Sequence, residues 1–68
     1  MYAIINTKTK KFVYDTDFSK KTPMQKSSSN MILLFDTKKE AEKAYKTRQC
    51  GKTYKICEIN FTINQVFK

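Results

Sequence analysis

The sequence predicts an α+β fold, a small domain in the order β-β-β-α-β with a mainly antiparallel sheet and one helix packed on one face. Three observations predict it. Short aromatic and β-branched runs recur along the chain. One segment combines a helix-capping pattern with apolar residues at helical spacing. The last third of the chain alternates apolar and polar residues with period two. Because the chain has 68 residues, we expect a single domain, residues 1–68.

The first two strands form a predicted β-hairpin. The runs YAIIN, Tyr2–Asn6, and KFVYD, Lys11–Asp15, are typical of strands. No Asn-Gly or Asp-Gly pair separates them, so we expect a loop of about four residues. Residues 16–30 are polar and include Pro23, which predicts a long polar loop. The unbroken apolar run Met31–Phe35 predicts a buried central strand as the third strand.

The predicted helix begins at about Lys38. Thr37 and Glu40 form the T-x-x-E pattern of a capping box. Gly51 lies where a left-handed residue often ends a helix. A narrow apolar stripe should face the sheet, formed at i, i+3 and i+4 by Ala41, Ala44 and Tyr45.

The last predicted strand is long, Thr53–Ile63. Its apolar residues alternate with polar ones, and Val66 and Phe67 extend the apolar character. A strand of this length can exceed what a small sheet pairs. Its overhanging edge is a natural dimerisation element, and we expect a homodimer.

The composition argues against an enzyme and against a bound metal or cofactor. The chain has no histidine, which removes the usual Ser–His and Cys–His pairs, and its one glycine excludes phosphate-binding loops. Cys50 and Cys57 are too few for a tetrahedral zinc site; we expect free thiols, with Cys57 a small core residue. Asp15 and Asp17 with Glu58 could hold a metal ion, but we favour turn capping because acids at strand ends commonly do this.

No segment resembles a membrane span or a signal peptide. The longest apolar run is far shorter than the about 20 residues that cross a bilayer. The start of the chain has no basic region followed by an apolar one. We therefore expect a soluble cytoplasmic protein with no membrane partner.

The charge balance is strongly basic. The net charge is +8, from 14 basic and 6 acidic side chains, and Arg48 is the only arginine. AT-rich codon usage would explain lysine in place of arginine, but it would not explain the shortage of glutamate. A charge excess of this size on a small surface favours a polyanionic partner.

Nine basic residues are candidate nucleic-acid contacts: Lys8, Lys10, Lys11, Lys39, Lys43, Lys46, Arg48, Lys52 and Lys55. Three of them lie at i, i+4 and i+7 on the predicted helix and should form one outward stripe. Nearby aromatic residues suit single-stranded nucleic acid, where charge follows the backbone and rings stack on bases. Since lysine acts as a point charge on phosphates, binding should be sequence-independent and salt-sensitive. A simple solvated helix face, and cations that stabilise a helix C-terminus, are the alternatives.

The whole chain resembles small accessory proteins of lytic phages. It is tiny, lysine-rich and glycine-poor, and it contains a compact F-D-T-K-K-E-A-E-K-A strand-to-helix segment. The resemblance implies a counter-defence role against a host toxin or nuclease. We expect a nucleic-acid-binding protein, with RNA favoured over DNA. The alternative is an inhibitor that plugs an acidic or RNA-binding site on a host protein. A structural domain with incidental charge is a third interpretation.

Overall fold

The structure, a computed structural model, describes residues 1–60. These residues form one four-stranded antiparallel sheet and a single helix, so the predicted α+β fold and its β-β-β-α-β order are confirmed. The sheet order β3-β2-β1-β4 places β3 and β4 at the edges. The elements are β1 (Tyr2–Asn6), β2 (Lys11–Asp17), β3 (Met24–Ser28), α1 (Lys38–Thr47) and β4 (Tyr54–Glu58).

Helix α1 begins as its capping box predicts. The Thr37 hydroxyl accepts the Glu40 N–H at 3.1 Å, and the Glu40 carboxylate accepts the Thr37 N–H at 3.3 Å. Ala41 is completely buried, and Ala44 and Tyr45 are half-buried on the same side. Because alanine is small, the helix lies close to β1 and β4. The predicted apolar stripe is confirmed.

The core lies between α1 and the centre of the sheet. Ile4 and Val13 are its two large, fully buried side chains, each 1% exposed. Ile4 pairs with Ile56, so both side chains point to the face that the helix covers. A β-bulge between Val13 and Asp15 shifts the alternation of β2 by one residue. Thr16 therefore follows Val13 on the covered face, where it is 6% exposed.

Strand β3 lies in a segment whose composition predicts a loop. It occupies Met24–Ser28, and β2 continues to Asp17, so the predicted loop over residues 16–30 is wrong at these positions. The register with β2 extends from Phe12 opposite Ser28 to Asp17 opposite Met24. A polar segment can form this edge strand because ladder hydrogen bonds to β2 hold it in place and an edge strand buries little apolar surface.

The apolar run Met31–Phe35 is not a strand, so the predicted third strand is wrong. Phe35 forms an isolated bridge with Tyr2, in which each N–H donates to the other carbonyl at 2.8 Å. The Leu33 N–H donates to the Val13 carbonyl at 3.2 Å. Strands β1 and β2 pair only next to their turn. The apolar run thus bonds to both strands where their mutual pairing has ended.

The helix ends at a different left-handed residue from the one predicted. Gln49 has a φ of 51°, whereas the φ of Gly51 is not positive. The Gln49 N–H donates to the Lys46 carbonyl and the Cys50 N–H to the Tyr45 carbonyl, both at 3.1 Å. These are the two bonds of a Schellman motif. The prediction for Gly51 is wrong because the helix stops earlier than the glycine position suggests.

The predicted last strand, Thr53–Ile63, is shorter within the described residues. Strand β4 covers Tyr54–Glu58, so the prediction is wrong at Thr53, Ile59 and Asn60. Residues 61–63, and also Val66 and Phe67, lie outside the described residues. In the described part of the chain, the one helix is too short and too polar to span a lipid bilayer.

Candidate nucleic-acid interface

Three candidate lysines lie at the tip of the β1–β2 hairpin, whose loop has the predicted four residues. The Asn6 side-chain oxygen accepts the N–H groups of Lys8 and Thr9, at 2.9 and 3.2 Å. The Asn6 carbonyl accepts the Lys10 N–H at 2.8 Å. Lys10 has a φ of 64°, which is uncommon for a residue with a Cβ. Lys8, Lys10 and Lys11 are all exposed.

The hairpin tip lies beside the start of β4. The Thr7 N–H and hydroxyl both donate to the Thr53 carbonyl, at 2.9 and 2.7 Å. Lys52 and Lys55 flank this point and are exposed. Lysines from two distant parts of the sequence therefore gather at one end of the sheet.

The helix supplies a second group of lysines. Lys39, Lys43 and Lys46 are exposed and line one shallow depression together with Glu42. Their spacing of i, i+4 and i+7 places them on one side of α1, as predicted. Three lysines and one carboxylate give this surface a net charge of +2.

Two further depressions connect the helix lysines to the hairpin end. One is lined by Glu42, Tyr45, Lys46 and Ile56. The next is lined by Tyr45, Lys52, Tyr54, Lys55 and Ile56. Neighbouring depressions share lining residues, so they form one continuous path along the helix and the β4 edge. We call this path and the adjoining hairpin tip the basic band; its residues are Lys8, Lys10, Lys11, Lys39, Lys43, Lys46, Lys52, Lys55, Tyr45 and Tyr54. Lys55 borders the path at the β4 edge, and by strand alternation its side chain lies on the same face as that of Cys57.

Tyr45 belongs both to the apolar stripe and to the basic band. Its hydroxyl lies 2.8 Å from the Gly51 carbonyl and 2.9 Å from the Tyr54 carbonyl, and its one hydrogen is shared between these two acceptors. These contacts hold the ring between the helix and β4. Sequence reasoning placed Tyr45 only in the core. Its spacing from Ala41 reveals the buried face, but no local pattern reveals contact with β4.

Arg48 does not line the depressions of the basic band, although it lines another depression together with Lys43. Its guanidinium donates to the Thr16 hydroxyl at 2.7 Å, and that hydroxyl donates to the Gln25 side-chain oxygen at 2.6 Å. The Gln25 amide then donates to the Arg48 carbonyl at 2.6 Å, which closes a ring. Arg48 is half-buried and Thr16 is buried. The single arginine, a candidate phosphate contact by sequence, fastens the end of the helix to β2 and β3.

The three carboxylates considered for a metal ion are not brought together. Asp15 and Asp17 lie on β2 and Glu58 on β4, with β1 between the two strands. The Asp17 carboxylate accepts the Ser19 hydroxyl at 2.6 Å and the Ser19 N–H at 2.9 Å, and these bonds lower the pKa of Asp17. Asp17 thus caps a turn, as favoured from the sequence. No three potential metal ligands cluster within residues 1–60.

Both cysteines are free thiols, as predicted. Burial raises the pKa of each thiol, and the Arg48 charge partly opposes this rise at Cys50. Cys57 is half-buried rather than a core residue. It pairs with Ala3 and follows Ile56, so it points to the face away from the helix.

Comparison with known proteins finds no relative: no protein-family model, no curated protein and no solved structure matches this chain.

Proposed function

We propose that this protein binds nucleic acid, with RNA favoured over DNA, through sequence-independent contacts between the basic band and phosphates. The observation that carries the proposal is the basic band itself. It combines exposed lysines of the helix and of the β4 region, which line adjoining depressions with two tyrosines, with the exposed lysines of the neighbouring hairpin tip. The net charge of +8 gives the whole protein a field that attracts polyanions.

The mechanism is phosphate neutralisation. Each lysine ammonium replaces counterions along the backbone of the nucleic acid, so affinity should fall as salt rises. Tyr45 and Tyr54 lie among the lysines, where a ring can stack on an unpaired base. Stacking requires unpaired bases, which single-stranded RNA offers and duplex DNA does not, and this favours RNA over duplex DNA. The single arginine is occupied by Thr16, and bidentate reading of guanine is mainly an arginine task.

The first experiment measures nucleic acid that co-purifies with the protein. The A260/A280 ratio is recorded after purification at low salt and again after a wash at high salt. We expect a high ratio that falls after the wash, because high salt weakens phosphate contacts. Nuclease treatment of the stripped material then distinguishes RNA from DNA. Protein that is clean at low salt would contradict the proposal.

A second experiment locates the interface with two matched variants. One replaces three lysines of the basic band by glutamine, Lys39, Lys43 and Lys46. The other replaces three exposed lysines outside it, Lys20, Lys21 and Lys26. Each variant removes the same charge. Fluorescence anisotropy with a labelled single-stranded RNA is measured over a salt series.

The two variants should differ in their salt dependence. For single strands the slope of log affinity against log salt changes by about 0.7 per phosphate contact, so losing three contacts should reduce it by about 2. We expect this reduction in the band variant and a much smaller one in the control. An equal effect of both variants would show that net charge alone, and not the basic band, drives binding.

A second candidate function is supported by an apolar depression beside the basic band. It is lined by Phe18, Phe35, Glu40, Lys43, Ala44, Thr47 and Arg48. Phe18 is 55% exposed there, and a large exposed aromatic residue next to a cation is typical of a protein interface. The occupant would be an acidic or RNA-binding host protein. The resemblance to phage accessory proteins is compatible with a counter-defence role under either candidate.

The protein-binding candidate has its own test. A protein captured from host cells should be lost when Phe18 is replaced by serine. It should be retained when the equally exposed Met24, which does not line the depression, is replaced by serine. RNA binding should be similar in both variants. Equal capture by both variants would argue against the apolar depression as an interface.

A further inference from the structure

The outer edge of β4 presents backbone groups of known direction. The Ile59 N–H donates to the Met1 carbonyl at 2.6 Å, and the N-terminal amine of Met1 donates back to the Ile59 carbonyl at 3.3 Å. At the other end, the Thr7 N–H donates to the Thr53 carbonyl at 2.9 Å. Alternate residues of an antiparallel strand bond to the same neighbour. The backbone groups of Tyr54, Ile56 and Glu58 therefore point away from β1.

Among residues 1–60, the outward backbone groups of Tyr54 have hydrogen-bond partners, whereas those of Ile56 and Glu58 have none. The Tyr54 N–H donates to the Gly51 carbonyl at 3.0 Å, and the Tyr54 carbonyl accepts the Tyr45 hydroxyl at 2.9 Å. Within residues 1–60, no hydrogen bond reaches the outward N–H or carbonyl of Ile56 or Glu58. An edge of this kind is a template for pairing with another strand.

We propose that a second copy of this chain pairs antiparallel with this edge, about a two-fold axis that passes beside Cys57. Each Ile56 then exchanges backbone hydrogen bonds with Glu58 of the second copy. A two-fold axis normal to a sheet sets one residue opposite its own copy, so only a few registers exist. The proposal does not rest on nucleic-acid binding, although the pairing brings part of the basic band, the depression lined by Glu42, Tyr45, Lys46 and Ile56, to the junction of the two copies.

Hydrogen bonding and charge select this register. When Cys57 lies opposite its own copy, all the outward backbone groups of Ile56 and Glu58 are paired. If Ile56 lay opposite its own copy, Glu58 would lie opposite Tyr54, whose outward backbone groups are already bonded. If Glu58 lay opposite its own copy, two carboxylates would lie directly opposite each other, which is unfavourable.

The helices support the same arrangement. Helix α1 contacts both β1 and β4, and the axis keeps the two helices on one side of the joined sheet. Because each helix lies over its own β1 and β4, the axes of the two helices would be separated by about two strand spacings. With strands about 4.8 Å apart, this separation is roughly 10 Å, which is an ordinary distance between packed helices. The depression lined by Glu42, Tyr45, Lys46 and Ile56 lies at this junction. Antiparallel helices set Glu42 towards Lys46 of the second copy, which pairs opposite charges.

This register can be tested by disulfide cross-linking, because it places Cys57 opposite Cys57 of the second copy. Opposite residues in a non-hydrogen-bonded antiparallel pair have Cα atoms about 4.5 Å apart. A disulfide tolerates Cα separations of about 4.4–6.8 Å.

The Cys50→Ser variant leaves Cys57 as the only thiol. Diamide joins two Cys57 thiols into one disulfide and takes up two protons and two electrons. Because burial raises the pKa of the Cys57 thiol, the reaction is run at about pH 9, where the reactive thiolate is more abundant.

The expected product is a covalent dimer on a non-reducing gel that dithiothreitol reverses. The matched variant Cys57→Ser, which keeps Cys50, should yield little dimer. All samples are first stripped of nucleic acid at high salt, so that a failure here is distinct from a failure of nucleic-acid binding. Equal cross-linking of the two variants, or none in the Cys50→Ser variant, would overturn the proposed register.

A proline at position 58 tests the edge itself. The Glu58 N–H points away from β1, so Glu58→Pro removes an outward donor without removing a bond to β1. Sedimentation at micromolar concentration should show a monomer for Glu58→Pro and a dimer for Glu58→Ala and the parent. Circular dichroism checks that the fold is kept. A monomeric parent, or a dimeric and folded Glu58→Pro variant, would refute pairing at this edge.

Discussion

Replacing Gln49 by glycine should stabilise the protein. Gln49 has a φ of 51°, and this left-handed region costs a residue with a Cβ about 1–2 kcal/mol. Glycine removes that cost but gives the unfolded chain more freedom, which offsets about 0.4–1 kcal/mol. The net gain should be about 0.5–1 kcal/mol, or roughly 2–8 °C in Tm for a domain of this size. The two Schellman bonds use backbone atoms and are retained.

Two matched variants isolate the backbone effect. Gln49→Ala keeps a Cβ in the left-handed region, so its free energy of unfolding should stay within about 0.5 kcal/mol of the parent value. Gly51→Ala should be neutral or stabilising by up to about 1 kcal/mol, since a glycine at an ordinary φ is an entropic cost. The φ of Gly51 is not positive, and a Cβ there meets no atom within 4 Å. If Gly51 were the left-handed cap, as its position suggests, Gly51→Ala would instead be destabilising.

Urea unfolding followed by circular dichroism measures these differences. All variants are compared at one protein concentration, because dimerisation would add a concentration-dependent term. The m-value should not change, since the surface exposed on unfolding is the same. The reasoning fails if Gln49→Gly is no more stable than Gln49→Ala, or if Gly51→Ala loses more than about 1 kcal/mol.

Three other predictions test the hydrogen bonds and backbone angles. Thr16→Val should cost about 1–3 kcal/mol in urea unfolding, because it removes the buried hydroxyl that bonds to the half-buried Arg48 and to Gln25. Thr16→Ser should cost much less, and an equal loss in the two variants would show that the hydroxyl is not the cause. Lys10→Gly should gain about 0.5–1 kcal/mol by thermal unfolding, since φ is 64°, whereas a loss would contradict that angle. By NMR titration, the pKa of Asp17 should lie below its usual value and should rise in Ser19→Ala. Because the folded state lowers the pKa of Asp17, the charged carboxylate stabilises the fold at neutral pH, and this stabilisation should be lost as the pH falls through the lowered pKa. An unchanged Asp17 pKa in Ser19→Ala would exclude the Ser19 bonds as the cause of the lowered pKa.

Local interactions explain what could be predicted. The helix start depends on Thr37 and Glu40, which are three residues apart, and the hairpin loop depends on the residues between two adjacent strands. Alternation with period two located β4, and charge alone pointed to a polyanionic partner. Most candidate lysines lie where the sequence placed them, on the outer side of α1 and at the hairpin tip.

The predicted strands were wrong where two distant segments could each pair with the same strand. The run Met31–Phe35 is apolar enough for a central strand, but the polar segment Met24–Ser28 pairs with β2 instead. Apolar character reports a tendency to be buried and does not choose a hydrogen-bonding partner. The structural role of Arg48 was missed for a similar reason, since its contacts with Thr16 and Gln25 cross 32 and 23 positions of sequence.

By itself, the sequence determined the fold class, the start of the helix, the face it buries and the excess of positive charge. Each of these follows from composition or from contacts within a few residues. The tertiary structure decided which segment became β3, that Arg48 fastens the helix, and that lysines of α1 and of the β4 region lie along adjoining depressions beside the β1–β2 hairpin tip. It also decided which groups of the β4 edge point outward. These outcomes depend on pairing between distant segments, and such pairing is selected by the free energy of the whole sheet rather than by any local pattern.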